Sequence, residues 1–461
     1  MKQLLSKSGS VCAIVTRLLF VALALALISC GGVAPTPSLN YSVGGVVLGL
    51  NVGQSIDITN NGGDRITVSA NGSYTFGVRV DSGSTYTVVL STQPRGQTCT
   101  IANSTGPVTS DVLSVNVECT TQGLFVYATN ELAGTVATYA IDSSTGALSV
   151  VGSPVSTGTG TFPAPKGVVV DYRGKFAYIT NEGDNTIVTY EINSTTGALT
   201  AVSSISTPTG AGPMGVVVDP AGKFLYVAET GGTKLASYAI NSATGALSFV
   251  SYVNETDDEL YSLSMNPSGD YVYATVGRNG AVLLYGINRT TGTLTLRSSW
   301  QSSPANGVNG VAVDPNGKYA YVAMSSDSDS SVGGVYILSL NATTGALTQQ
   351  GSLMATNGHA QALVVHPTGR FLYVTSNDTV IAYAVNSTTG ALSAIGLPLN
   401  LGVNSSPTGI TADRSGKFVY VVNSGTNTIA SFAINARTGA LTSVGTTSTG
   451  DNTQPQAITS Y

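Results

Sequence analysis

Seven times the chain repeats the tetrad Thr-Gly-Ala-Leu or Thr-Gly-Thr-Leu, with its glycine at positions 146, 197, 245, 292, 345, 390 and 439. The intervals run from 45 to 53 residues, and each holds the same plan. A short apolar run, Gly167-Val168-Val169-Val170, ends in an Asp-x-x-Gly turn from Asp171 to Gly174. A second run, Lys175 to Ile179, is followed by a third from Thr186 to Ile192, and the Thr196-Gly197 hairpin leads into a fourth from Ala198. Four short strands cannot bury both faces of their own sheet, so such units must stack on one another. At this period they read as propeller blades. Helical periodicity is almost absent. The expected fold class is therefore all-β: a seven-bladed β-propeller preceded by a small β-sandwich.

The ends of the array predict how the ring closes. The first repeat, Gly123 to about Val155, lacks an innermost strand, and Gln454 to Tyr461 matches that missing strand in the register of Ala164 to Val168. Pairing the two leaves no open sheet edge. The residue entering each inner strand is small: Gly167, Gly215, Ser262, Gly310, Ala362, Gly409 and Ala457. Small side chains let seven strands converge on one axis. Preceding them are Lys166, Met214, Tyr261, Asn309, Gln361, Thr408 and Gln456, which are expected around the channel mouth as a ligand-binding surface.

The N-terminus reads as targeting. Lys2, Lys7 and Arg17 precede an apolar run from Leu18 to Ile28, too short to span a bilayer but suited to a signal-peptide core. Leu27-Ile28-Ser29-Cys30-Gly31 resembles the lipobox of bacterial lipoproteins, which implies cleavage before Cys30 and lipid attachment there. The organisation expected is a signal peptide over 1–29, a tether over 30–40, a β-sandwich over 41–121 and the propeller over 122–461. The chain is then extracytoplasmic and held at the cell envelope through lipid, at the outer membrane if the organism has one. Over 41–121 short alternating runs are split by Asn60-Asn61-Gly62-Gly63 and Asn71-Gly72, turn sequences that tolerate positive φ. This stretch resembles the Ig-like spacer modules of bacterial surface lipoproteins. Cys99 and Cys119 remain after Cys12 and Cys30 are assigned, and outside the cytoplasm they are a natural disulfide pair.

Only 9% of residues are charged, and the formal net charge is −5. No basic patch appears, so nucleic acid is not an expected partner. Phe125-Val126-Tyr127-Ala128-Thr129-Asn130, Phe176-Ala177-Tyr178-Ile179-Thr180-Asn181 and Phe418-Val419-Tyr420-Val421-Val422-Asn423 resemble the Tyr-Val-Thr-Asn repeats of surface propellers. With the Asp-Pro-x-Gly-Lys turns at Asp219 to Lys223 and Asp314 to Lys318, they resemble the lactonase-type seven-bladed family. That family includes 6-phosphogluconolactonase and the muconate cycloisomerases, and the resemblance implies an anionic lactone held by Arg and His at the channel mouth. Here the matching positions carry Gln361 and Ala362, and no repeat has Arg followed by His.

Two histidines exist. His366 stands where other repeats have Asp or Asn and reads as a turn residue, whereas His359 enters an inner strand near the mouth. The rim loops carry Lys166, Lys234 and Arg278 against Glu131, Glu182, Asp184, Glu229, Asp257, Asp258, Glu259, Asp327, Asp329 and Asp378, an unfavourable field for an anionic substrate. Glu131, Glu182 and Glu229, with Asn130, Asn181 and Asn309, offer hard oxygens of the kind calcium takes, although solvated loop charges explain them more simply. No cofactor is expected, and calcium is the metal these donors would suit. Two functions follow. The first is a non-catalytic module for a small-molecule, glycan or protein ligand, displayed on the envelope. The second is an extracytoplasmic lactone hydrolase, metal-assisted if calcium binds, with Glu131, Glu182 and His359 as acid–base candidates.

Overall fold

The computed structural model describes residues 39–50, 54–94, 97–121, 124–207, 212–231, 234–254, 259–277, 279–302, 307–325, 332–356 and 358–461. The proposed signal peptide, Cys30, and the rim residues Asp257, Asp258, Arg278, Asp327 and Asp329 lie outside them.

From Phe125 onward the chain forms seven antiparallel sheets, each with its innermost strand first in sequence except in blade 1. In blade 2 the order is Pro165–Val170, Phe176–Asn181, Thr186–Ile192 and Leu199–Ser206. Blades 3 to 7 repeat it, with inner strands Pro213–Val218, Leu260–Met265, Gly307–Val313, Ala360–Val365 and Pro407–Ala412. Blade 1 takes its inner strand from the far end of the sequence: Pro455–Ser460 pairs antiparallel with Phe125–Asn130, Ala128 opposite Ile458. Each inner strand neighbours the next, and the strand from blade 1 touches those of blades 7 and 2, so the ring is closed. No strand edge is left at the axis.

Two repeat-level contacts join the blades. The second strand of each blade begins with an aromatic residue that packs on the hairpin glycine of the following blade. A Cβ on Gly197 would meet the Phe125 ring at 2.4 Å, and one on Gly146 would meet Phe418 at 2.3 Å. These glycines also have positive φ, 74° and 81°. Both conditions demand glycine, which explains why the tetrad is the most regular feature of the sequence. Five of the seven repeat tyrosines extend the same contact: Tyr127, Tyr273, Tyr321, Tyr373 and Tyr420 donate to the carbonyls of Gly197, Gly345, Gly390, Gly439 and Gly146. The hairpins themselves are Asx turns. Asn193 Oδ1, for instance, accepts from Thr195 N and Thr196 N at 3.0 Å, so the Asn-x-Thr sequences serve backbone geometry.

The N-terminal part places two four-stranded sheets over one core that includes Val47, Ile56, Ile58, Tyr86, Val88 and Val117. Cys99 and Cys119 lie directly opposite one another on the neighbouring strands Gln97–Ile101 and Val117–Thr121, and are joined by a disulfide.

Candidate functional site

The start of each inner strand defines one end of the channel. There the small ring has a direct structural cause. A Cβ on Gly167 would sit 2.3 Å from the carbonyl of Met214 in the next blade, and one on Gly215 2.2 Å from that of Tyr261. Neighbouring strands therefore approach through backbone, and the threonine of the second strand bridges them. Thr180 Oγ1 accepts from Gly167 N at 2.8 Å and donates to Met214 O at 2.7 Å. Thr275 does the same between Ser262 and Asn309.

Two rings of side chains surround this opening. The inner ring runs, blade by blade, Gln456, Lys166, Met214, Tyr261, Asn309, Gln361 and Thr408. The outer ring follows the second strands: Glu131, Glu182, Thr230, Gly277, Asn377 and Ser424 among the described residues. Their amides bond back to the residues entering the inner strands, as Glu131 N does to Gln454 O, Glu182 N to Ala164 O and Asn377 N to His359 O. A non-glycine residue with positive φ makes this junction in three blades, namely Ala164, Ser406 and Gln454.

The charged members of the two rings are Lys166, Glu131 and Glu182, all in blades 1 and 2. They form one cluster. Lys166 Nζ lies 2.7 Å from Glu131 Oε1 and 3.4 Å from Glu182 Oε2. The other oxygen of Glu131 accepts from Gln456 Nε2 at 2.5 Å. Side-chain exposure is 16% for Lys166 and 15% for Glu131, against 38% for Glu182. Glu131 is thus a mostly buried carboxylate satisfied on both oxygens, and the ammonium that could attract an anion is shared between two acids.

The other described members of the two rings are uncharged, and three of them are held in place. Asn309 donates to Ser325 Oγ at 3.0 Å and to Ala360 O at 2.8 Å, and Thr408 donates to Pro455 O at 3.0 Å. Both bonds to the backbone cross from one blade to the next. The Tyr261 ring lies on Gly277, whose added Cβ would meet it at 2.2 Å, and its hydroxyl bonds the Glu259 carboxylate. Met214 is half-buried, and Gln361 is exposed.

The remaining candidates are dispersed. His359 lies in blade 6, two blades from Glu131 and three from Glu182; its amide takes Asn377 Oδ1 at 3.1 Å, and its Nε2 is buried without a partner among the described residues. His366 is a turn residue. Its Nδ1 accepts from Thr368 N at 3.1 Å, and its Nε2 reaches Gly416 O of the next blade at 2.9 Å. Glu229 does not reach the rim. It ends its strand at the position of Asn130 and Asn181, one residue earlier than Glu131 and Glu182, and is fully buried. Asp184 and Asp378 cap loops: Asp378 accepts from Asn404 N and Ser406 N, and Asp184 from Gly160 N. Lys234 lies over the Tyr252 ring.

Calcium does not fit this arrangement. Lys166 already places a cation between Glu131 and Glu182, while Glu229 is one position off and enclosed. Among the described residues no three His, Cys, Asp or Glu side chains converge as metal ligands.

Comparison with known proteins adds the following. The family model described as Lactonase, 7-bladed beta-propeller matches over residues 106–257, 164–309 and 255–458. No curated protein matches. Among solved structures, a Bacteroides uniformis protein assigned as a 6-phosphogluconolactonase superposes with a TM-score of 0.63 at 19% identity, over 74% of this chain and 99% of that one. The periplasmic gluconolactonase of Pseudomonas aeruginosa superposes with a TM-score of 0.61 at 17% identity, over 74% and 98%.

Proposed function

The chain belongs to the seven-bladed lactonase propellers, and from that premise we propose that it is a non-catalytic ligand-binding module of the cell envelope. In this reading it is exported, held by lipid at Cys30, and presents its channel mouth to uncharged polar ligands of saccharide type. One observation carries the reading: the Glu131 carboxylate is satisfied by Lys166 and Gln456. A general base must have a lone pair within reach of the proton it takes, and an anionic substrate needs cationic donors that are not already neutralised. Glu131 and Lys166 supply neither. The mouth offers instead an aromatic ring, amides and a hydroxyl held in place at Tyr261, Asn309, Gln456 and Thr408, with the exposed amide of Gln361 beside them, as polar recognition of a neutral ligand requires.

Lactone hydrolysis outside the cytoplasm is the second reading, and His359 favours it. Its buried Nε2 has no partner among the described residues, which leaves it available as an acid–base group.

A binding experiment tests the module. Arrays of neutral and acidic saccharides are probed with the processed chain and with its Tyr261→Ala and Gln361→Ala variants. Retention of a neutral saccharide, lost in both variants, is the expected result. Binding confined to acidic saccharides, or unchanged in both variants, contradicts it.

A further inference from the structure

The opposite end of the channel holds a second site. Inner strands end in four-residue turns that close on glycine and open on Asp, or on Asn266 and His366 in blades 4 and 6; the second residue is Pro220, Pro267, Pro315 or Pro367 in four blades but Tyr172 in blade 2 and Arg414 in blade 7. A cavity of about 730 Å³ opens here, lined by Tyr172, Arg173, Arg414 and Tyr461 of the propeller and by Leu90 and Pro94 of the N-terminal sheets. That volume lies within the range of small-molecule sites, which favour the junctions between packed units.

Arg414 is built into the wall. Its guanidinium lies 4.0 Å from the Tyr461 ring centroid and 5.9 Å from that of Tyr172. Nη1 donates to Tyr172 O at 3.2 Å and Nη2 to Asp171 O at 3.5 Å. Tyr461 is itself fixed, with its hydroxyl donating to Arg173 O and its ring filling the place where Gly174 has no side chain. These contacts, with a side-chain hydrogen bond to Tyr461, hold the guanidinium without using all five of its N–H donors. Among the described residues no carboxylate forms an ion pair with Arg414 or Arg173. Asp171, whose charge acts on Arg414, turns inward, where its Oδ1 accepts from Lys175 N and Phe176 N. Among the described residues no acidic one lines the cavity, although acids outnumber bases in the chain as a whole.

We propose that this cavity binds an organic anion with an apolar body, its carboxylate or phosphate group on Arg414 and Arg173 and its apolar part against Leu90, Pro94, Pro220 and Pro367. A planar guanidinium matches such head groups in two-point contact. Burial disfavours the charged guanidinium, and the Tyr461 and Tyr172 rings and Asp171 act against that; a bound anion adds to their effect. The site is independent of the mouth, since the two lie at opposite ends of strands such as Pro165–Val170.

The test is calorimetric titration of the processed chain with octanoate, octyl phosphate and octan-1-ol. One or both anions should bind in the millimolar range or tighter and octan-1-ol should not. Arg414→Gln should weaken the binding about tenfold or more. Ala221→Glu, which puts a negative charge on an exposed part of the same wall, should weaken it comparably at low salt without disturbing the Arg414 stack. Arg289→Gln, which removes an exposed cation that does not line the cavity, should leave it unchanged. If Arg414→Gln fails to fold, Ala221→Glu and Arg173→Gln decide the matter. The site is refuted if neither anion binds up to about 10 mM, if octan-1-ol binds as tightly, or if the charge variants bind the anions as well as the parent does.

Discussion

The Tyr420 hydroxyl donates to the carbonyl of Gly146 at 3.0 Å, joining blade 7 to blade 1 across 274 residues of sequence. The same bond links other neighbouring blades, but here it closes the ring. Tyr420→Phe leaves a buried carbonyl unsatisfied and should cost about 1–2 kcal/mol in denaturant unfolding. Tyr178 occupies the same place in blade 2, and its hydroxyl has no partner among the described residues, so Tyr178→Phe should change stability by less than about 0.5 kcal/mol.

Gly146→Ala should cost at least about 2 kcal/mol, because the new Cβ would meet the Phe418 ring and the backbone holds a left-handed φ of 81°. Gly152 also has positive φ, at 62°, but has open space around it. Gly152→Ala should therefore cost about 1 kcal/mol from backbone strain alone. The difference between the two melting curves measures the ring contact.

Removing residues 454–461 should destabilise the whole propeller. It strips the inner strand from Phe125–Asn130 and removes the Tyr461 ring that bonds Arg173 O and carries Arg414. A truncated chain that melts like the intact one contradicts closure by this strand.

Burial raises the pKa of Tyr127, Tyr178, Tyr226, Tyr273, Tyr321, Tyr373 and Tyr420 above the usual 10, with Asp171, Asp219, Asp314 and Asp413 adding to it at Tyr178, Tyr226, Tyr321 and Tyr420. Their protonated forms are favoured in the folded state, so this contribution is complete below pH 10. It is lost as pH rises toward their folded values. Absorbance at 295 nm should show the repeat tyrosines ionising only together with loss of β-sheet circular dichroism.

At the mouth, Lys166→Met leaves Glu131 mostly buried with Gln456 as its remaining hydrogen-bond partner. It should cost about 1–3 kcal/mol. Adding Glu131→Gln removes the stranded charge and should recover most of the loss, which a double-mutant cycle in urea would read.

The ring was legible in sequence because its demands fall on single residue types. The hairpin glycine must lack a side chain beneath Phe125 or Phe418, and Gly167 and Gly215 must lack one against a neighbouring carbonyl. The missing first strand of blade 1 is equally visible as a strand left over at the other end. The mouth was harder to read. Its seven positions vary because Asn309 and Thr408 bond backbone carbonyls, which accept from many side chains. Glu229 looked equivalent to Glu182, yet it stands at the last position of its strand, where Asn181 stands, and Glu182 comes one residue later; that single position moves Glu229 from rim to interior. The Lys166–Glu131–Gln456 cluster joins residues 325 positions apart, and its only signal was that all three fell on the same turn of the ring. The Arg414 cradle had a signal that went unused, the break in the proline pattern of the turns.

The account turns on whether the mouth catalyses. The direct measurement is hydrolysis of D-glucono-δ-lactone and its 6-phosphate by the processed chain, followed by pH-stat at neutral pH with and without calcium. The expected rate equals that of the uncatalysed reaction under every condition. Turnover that disappears in His359→Ala or Glu131→Gln would contradict it.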